Sequence, residues 1–505
     1  MSEPPKVLCL VVDSAERDLI LRWCEEGLLP TFHALRNKAA WCAVASTHGF
    51  GNNAMWPTFY TGLSPARHGR YAPTQLRDGS YDLEKVGVDA VKGEPFWQAL
   101  SRAGRRVAVI NVPKAPLTAD LNGVQLADWG THDYDHGGVC SWPPAFADTV
   151  VDRFGADTLG KCDLIQRDSH NYGALRDGLV ARVHRSADLA EHLLREDDWD
   201  LFLMTFGDSH CVGHQCWHIH DPKHPEHLPG LAAAVGDPVL DVYQAIDAAL
   251  GRLLKHAGPE THVVVFVGPG MEPTFTGNHL MDPVLQALDA AAGPDNRGVE
   301  SRLRALWGRM PPSLQEELKH AVRKVSQPRK ARGRVRRRWF YLNNHLHAGA
   351  IRINLAGRDP NGRIQPGAEY DAVCEALTQD LLDLRKPDTG TPAIEEVIRT
   401  RDHYRGENLD RLPDLLALWN RDGPVTAVES AKVGLIRRPM WYTRSGDHTE
   451  HCLCFSLGPG VQAGRLQTSA HVTDMAPTLA ALLGVTLGDT DGQPVADLLG
   501  TRGQD

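Results

Sequence analysis

The sequence lacks any stretch near the roughly 20 uninterrupted apolar residues that a bilayer-spanning helix requires, which argues against an ordinary transmembrane segment. Its N-terminus, MSEPPKVLCLVVD, runs almost directly into a buried-strand pattern. It shows no charged leader region, long apolar run or cleavage site, so a cytoplasmic protein is expected. Positive charge is in deficit: 54 Lys and Arg stand against 63 Asp and Glu, a formal net charge of -9. That balance speaks against generic nucleic-acid binding. Cysteine is sparse and unpatterned, with ten residues and no CxxC pair. Reduced thiols are expected rather than disulfides, and zinc held by cysteine clusters is not expected. There is no internal repeat. The one biased segment is basic, Arg323 to Arg338 (RKVSQPRKARGRVRRR), and reads either as a solvated connector or as an arm touching an anionic ligand or surface.

What is present is an ordinary folded composition, 42% apolar and 23% charged, over 505 residues. That length exceeds what one hydrophobic core usually supports, so two structural units, or one core with a large insertion, are expected. Lys6 to Val12 is a short β-branched and apolar run ending at Asp13. A parallel-sheet strand delivers a carboxylate to its carboxyl edge in this way, and open α/β sheets bind ligands at that edge. FWQALSRAG followed by RRVAVINVP, and VLDVYQAIDAALGRLLKHAG followed by HVVVFVGPGM, repeat a helix-then-strand order. Alternation of this kind predicts an α/β fold with a doubly wound, mostly parallel sheet. After Met271 the pattern becomes polar, proline-punctuated and basic. A compact stretch with NGR and PG turns follows, predicting a smaller inserted α+β cap. The core is therefore assigned to residues 1–271 and 440–505 and the cap region to 272–439, with the basic segment at 323–338.

Three stretches carry residues suited to chemistry. Asp13 closes the first strand and is followed by the loop GFGNNAMWPTFYTGLSPARHG, which contains Asn52. GDSHCVGHQCWHIHD follows the apolar run LFLMTF, and RSGDHTEHCLCFSLGPG holds His448 ahead of another strand. His210 and His214 are four apart, so on a helix their imidazoles share one face and can hold one ion. Asp13 or Asp208 could add a carboxylate, either to the metal or as the acceptor that orients a ring N–H. His48, just before Asn52, is a candidate general base. His218, His220, His224 and His227 are expected in structural or solvated roles, and Trp56 and Trp217 in packing.

WPTFYTGLSPARHG, HQCW, GPGM, LAGRDPNGRIQPGAEYD, GDH followed by GPG, and DMAPTLAALLGV occur in that order. The chain thereby resembles the type I phosphodiesterase/nucleotide pyrophosphatase branch of the alkaline phosphatase superfamily. The resemblance implies an alkaline-phosphatase-like doubly wound fold in which two metal ions flank a Thr or Ser nucleophile and phosphoric esters are cleaved. The departures are informative. Counted back from Thr61-Gly62, the family's nucleophile falls on Asn52, a poor nucleophile whose amide either orients a ligand or is a relic. Counted back from Gly270-Met271, a metal-binding Asp-His pair falls on Gly268 and Pro269, so that metal position is expected to be lost. The other position maps onto His210, His214 and His448, a three-histidine set suited to zinc with a fourth position open.

The function expected is therefore that of a hydrolase using one divalent ion, most plainly zinc, to activate water against a phosphoric ester or related group of a small-molecule substrate. No membrane span and no nucleic-acid partner are expected. Two alternatives stand beside this reading. One is a metalloenzyme of specialised metabolism acting on a non-phosphate substrate, and the other is an inactive ligand-binding member of the family.

Overall fold

A computed structural model describes residues 6–160, 171–292, 334, 336–344, 347–439 and 444–500. Its described parts divide into two compact units. One comprises 1–71, 87–274 and 442–505, and the other 72–86 and 275–441. The 72–86 stretch carries a short hairpin, Thr74–Leu76 with Leu83–Lys85, and groups with the second unit although it lies far from the rest of that unit in sequence. Among the described residues no helix is long and apolar enough to cross a membrane.

The first unit holds the expected doubly wound sheet. Among the described residues ten strands form it. Val7–Asp13 lies at its centre between Leu201–Phe206 and His262–Gly268, both parallel to it. Val107–Ile110 and Gly123–Ala127 continue the parallel order on one side. His451–Leu457 runs antiparallel on the other, between His262–Gly268 and Ala40–Ala45. The pleat explains why two cores form. Leu8, Leu10 and Val12 face one layer of helices, which includes Tyr172–Glu196, Asp208–His220 and Pro238–Leu253. Val7, Cys9 and Val11 face the other, which includes Asn52–Thr61 and Met475–Leu482. A strand buried on both faces gains from apolar residues at every position, which is why these strands read as continuous runs rather than alternating ones.

Register brings the chemistry-bearing positions to one edge. Val12 pairs with Phe206, so residues 207 onward leave the sheet beside Asp13. Asp13 itself pairs with Gly268.

The second unit is a separate α+β body. Its four-stranded antiparallel sheet runs Trp339–Tyr341, Gly349–Ile353, Leu415–Trp419, Ile394–Arg399. Helices Asn278–Ala292 and Ala368–Leu382 share its core through Leu285, Tyr370 and Leu377. A buried Asp414 organises the interior, accepting from Arg358, from the Tyr370 hydroxyl at 2.8 Å and from the Ile353 amide at 2.7 Å. Most of the basic segment 323–338 lies outside the described residues. Of its described part, Arg337 pairs with Asp282 at 2.8 Å and Arg338 with Asp289 at 2.9 Å, both within this unit.

Candidate functional site

Four of the expected residues converge at the carboxyl edge of the first unit. Asp13 ends its strand and is 2% exposed. Its Oδ2 lies 2.7 Å from His210 Nδ1, and its Oδ1 accepts from the Ser14 hydroxyl at 2.8 Å. The Ser209 hydroxyl ties the helix start to the Asp13 carbonyl at 2.5 Å. One turn along the Asp208–His220 helix, His214 Nδ1 lies 2.8 Å from the Gly446 carbonyl. His448, two residues beyond Gly446, brings its ring centroid to 4.7 Å from that of His210 and 4.8 Å from that of His214.

These contacts determine the tautomers. A carbonyl only accepts, so His214 must carry its proton on Nδ1. A carboxylate facing His210 Nδ1 places that proton in the same way. Both Nε2 atoms are then left with lone pairs, and they face each other across 3.0 Å. Burial, followed by the neighbouring His132 and His448, holds the His210 imidazolium well below its usual range. Burial likewise brings His448 down to about 4. Asp13 is pushed up to about 6 by burial, partly offset by its bond from Ser14. Two neutral imidazoles aiming lone pairs at one point repel unless a cation lies between them. Two nitrogens on one tetrahedral zinc, with bonds of about 2.0–2.1 Å, stand about 3.3 Å apart. The donor set fits such an ion to within a few tenths of an ångström.

Asp208 sits elsewhere. It opens the helix, but its Oδ1 accepts from Arg182 Nε at 2.7 Å, and both side chains are 2% exposed. It belongs to a buried ion pair beneath the histidines.

The backbone around Gly268 and Gly270 is tightly packed. A β-carbon on Gly268, at φ +137°, would stand 2.6 Å from Cys452 Sγ and 2.8 Å from Cys452 Cβ. One on Gly270 would meet the Glu16 carboxylate at 2.2 Å and the Thr449 hydroxyl at 2.3 Å. Glu16 is fixed there, accepting from the Met271 amide at 2.8 Å. Placing the family's expected ligand types there by Gly268→Asp with Pro269→His is therefore expected to lower the thermal midpoint without raising the metal content. A second bound ion in that double variant, at unchanged stability, would show that the space is still available.

Asn52 starts the Asn52–Thr61 helix, 5% exposed, and its Oδ1 has no hydrogen-bond partner among the described residues. Thr58 is occupied: it lies 3.0 Å from His68 Nε2, while His68 Nδ1 accepts from the Arg70 amide. His48 pairs through Nδ1 with Glu450 Oε2 at 2.9 Å, and the Gly49 amide donates to Oε1 of the same carboxylate. Trp56 and Trp217 are buried, in opposite helical layers. His220 is held by Asp237 at 2.7 Å, and His227 Nδ1 lies 2.9 Å from the His218 carbonyl. His224 Nε2 lies 3.2 Å from the Ser445 carbonyl.

Sequence reasoning missed His132. It follows the Gly123–Ala127 strand, is 5% exposed, and stacks on His210 with centroids 4.0 Å apart and planes 20° apart. His132, His210 and His214 offer ligand atoms that all lie within 4.8 Å of one another. The signal available was position alone, since His132 leaves the same sheet edge that singled out Asp13.

The profile of the type I phosphodiesterase / nucleotide pyrophosphatase family matches residues 7–448. No curated protein sequence matches. Among solved structures, phosphonoacetate hydrolase from Sinorhizobium meliloti 1021 is similar with a TM-score of 0.52 at 13% identity, covering 95% of each chain. The wild-type alkaline phosphatase PafA gives 0.51 at 14% identity, covering 99% of this chain and 100% of its own. Human ectonucleotide pyrophosphatase / phosphodiesterase 5 gives 0.50 at 14% identity, covering 97% of each. At these identities the likeness is one of fold.

Proposed function

Because the chain belongs to the type I phosphodiesterase/nucleotide pyrophosphatase family, we propose that it is a hydrolase working with one divalent cation, zinc by the chemistry of its donors, on a phosphoric ester of a small molecule. The observation that carries this reading is the pair of Nε2 atoms of His210 and His214, 3.0 Å apart with both Nδ1 atoms committed to protein acceptors. A cation bound there supplies Lewis-acid polarisation and lowers the pKa of water to about 7.

The chain's own residues do the rest. Asp13 and the Gly446 carbonyl lock two ring tautomers, so the donors are set before any ligand arrives. Burial keeps the His210 and His448 imidazoles unprotonated at neutral pH. Asn52 offers an amide where the family has a hydroxyl, and so binds an oxygen of the substrate without being esterified. Water adds directly to phosphorus, the ester P–O bond breaks, and the leaving alcohol departs with a proton; no phosphorylated side chain forms.

The test is hydrolysis of bis(4-nitrophenyl) phosphate by purified protein before and after dialysis against a chelator, with zinc returned afterwards. Activity lost on chelation and recovered with about one equivalent of zinc is the expected result. Phosphodiester hydrolysis untouched by chelation would sink the reading.

A second reading has one observation in its favour. The small cavity beside His210, about 20 Å³, is lined by Asp13, Asp128, Asp133 and Asp135 against Lys114, with His132 and His136. A lining this acidic suits a neutral or cationic group better than a phosphate. Metal-dependent turnover of an amide or carbonyl substrate, without phosphodiester hydrolysis, would favour this alternative.

A further inference from the structure

We propose that His132 is a ligand of the same ion, so that with His210 and His214 it makes a three-imidazole set, one from the segment after the Gly123–Ala127 strand and two from the Asp208–His220 helix, with a fourth position left for water. The inference rests on the single-cation reading above and extends it to a residue outside the family's pattern.

Three observations support it. The first is reach, because a ring nitrogen of His132 lies within 4.8 Å of the ligand atoms of both His210 and His214. The second is charge. Asp13 is engaged by His210 and Ser14, and Asp208 is bound to Arg182, so the near donors are neutral nitrogens and a third imidazole completes a nitrogen set that zinc accepts. The third is support behind the ring. His132 Nδ1 lies 3.6 Å from Cys211 Sγ, which itself accepts from Arg182 at 3.4 Å. The other ring nitrogen, Nε2, stands 3.8 Å from Asp133, beyond hydrogen-bond distance, and is the one assigned to the ion. Ligating imidazoles are held by contacts of this kind.

The stacked pose, with planes 20° apart, places the ring beside His210 rather than pointing at the space between the two Nε2 atoms. Shared ligation therefore requires His132 to turn edge-on about its side-chain bonds.

Affinity for zinc, measured by competition with a chromophoric chelator, is compared in the full-length protein for wild type, His132→Ala, His214→Ala and a control, His184→Ala, which alters an exposed helix position. His132→Ala is expected to weaken zinc by more than about 100-fold, beyond the 10–100-fold that groups behind a ligand typically contribute. A second variant, His132→Cys, guards against a folding defect in the first. Loaded with cobalt, it is expected to gain a near-ultraviolet sulfur-to-cobalt charge-transfer band that the wild type lacks. Unchanged zinc affinity in His132→Ala together with no new band in His132→Cys would overturn the assignment. If His214→Ala still loses metal in that case, the single-cation reading survives without His132. A wild type that binds no zinc would remove both.

Discussion

His214→Ala is expected to abolish stoichiometric metal binding and to reduce phosphodiester hydrolysis by at least about a thousandfold, more than the 10–100-fold typical when only a supporting group is lost. The reasoning is local. His214 is fully buried, its Nδ1 is tied to the Gly446 carbonyl, and its remaining nitrogen faces His210 Nε2 at 3.0 Å. Removing it deletes a donor that no neighbouring side chain on that helix turn can replace. The alanine also leaves the Gly446 carbonyl without that donor, so the circular dichroism spectrum should be recorded alongside. Loss of metal in a folded protein supports the site. Retention of metal and rate in His214→Ala would show that the ion lies elsewhere.

The second large effect is on stability. Arg182 lies within the Tyr172–Glu196 helix and is 2% exposed. It donates to Asp208 at 2.7 Å and stands 3.6 Å from Asp157, whose side chain is 4% exposed. Replacing Arg182 by leucine leaves Asp208 as an uncompensated buried carboxylate, already raised to about 6 by burial despite its partner. Breaking a buried pair from one side costs about 3–5 kcal/mol, whereas replacing both partners with apolar groups is often close to neutral. Arg182→Leu should therefore unfold at markedly lower denaturant than wild type, and Arg182→Leu with Asp208→Leu should recover much of the difference. An Arg182→Leu protein as stable as wild type would mean that the pair contributes nothing to the fold.

The sheet was legible because its central strands, such as LFLMTF and HVVVFVG, are nearly continuous apolar runs, as strands covered on both faces are. Asp13, His210, His214 and His448 were legible through edge position, helical spacing and family resemblance. His132, Glu450 and Glu16 were not. Each owes its place to tertiary register: His132 to the strand pairing that sets Gly123–Ala127 beside Val107–Ile110, and Glu16 to the closeness of Gly270. Arg182 was equally hidden, since an arginine in a helix reads as surface until the carboxylate it meets is known. The hairpin within 72–86 gave no compositional sign that it groups with a unit two hundred residues further on.

The most direct test of the single-ion centre is elemental analysis of the wild-type protein by mass spectrometry after equilibration with zinc and removal of excess. About one ion per chain is the result expected from the proposed donors at His210 and His214 and from the tight packing of Gly268 against Cys452. Two ions per chain would contradict it.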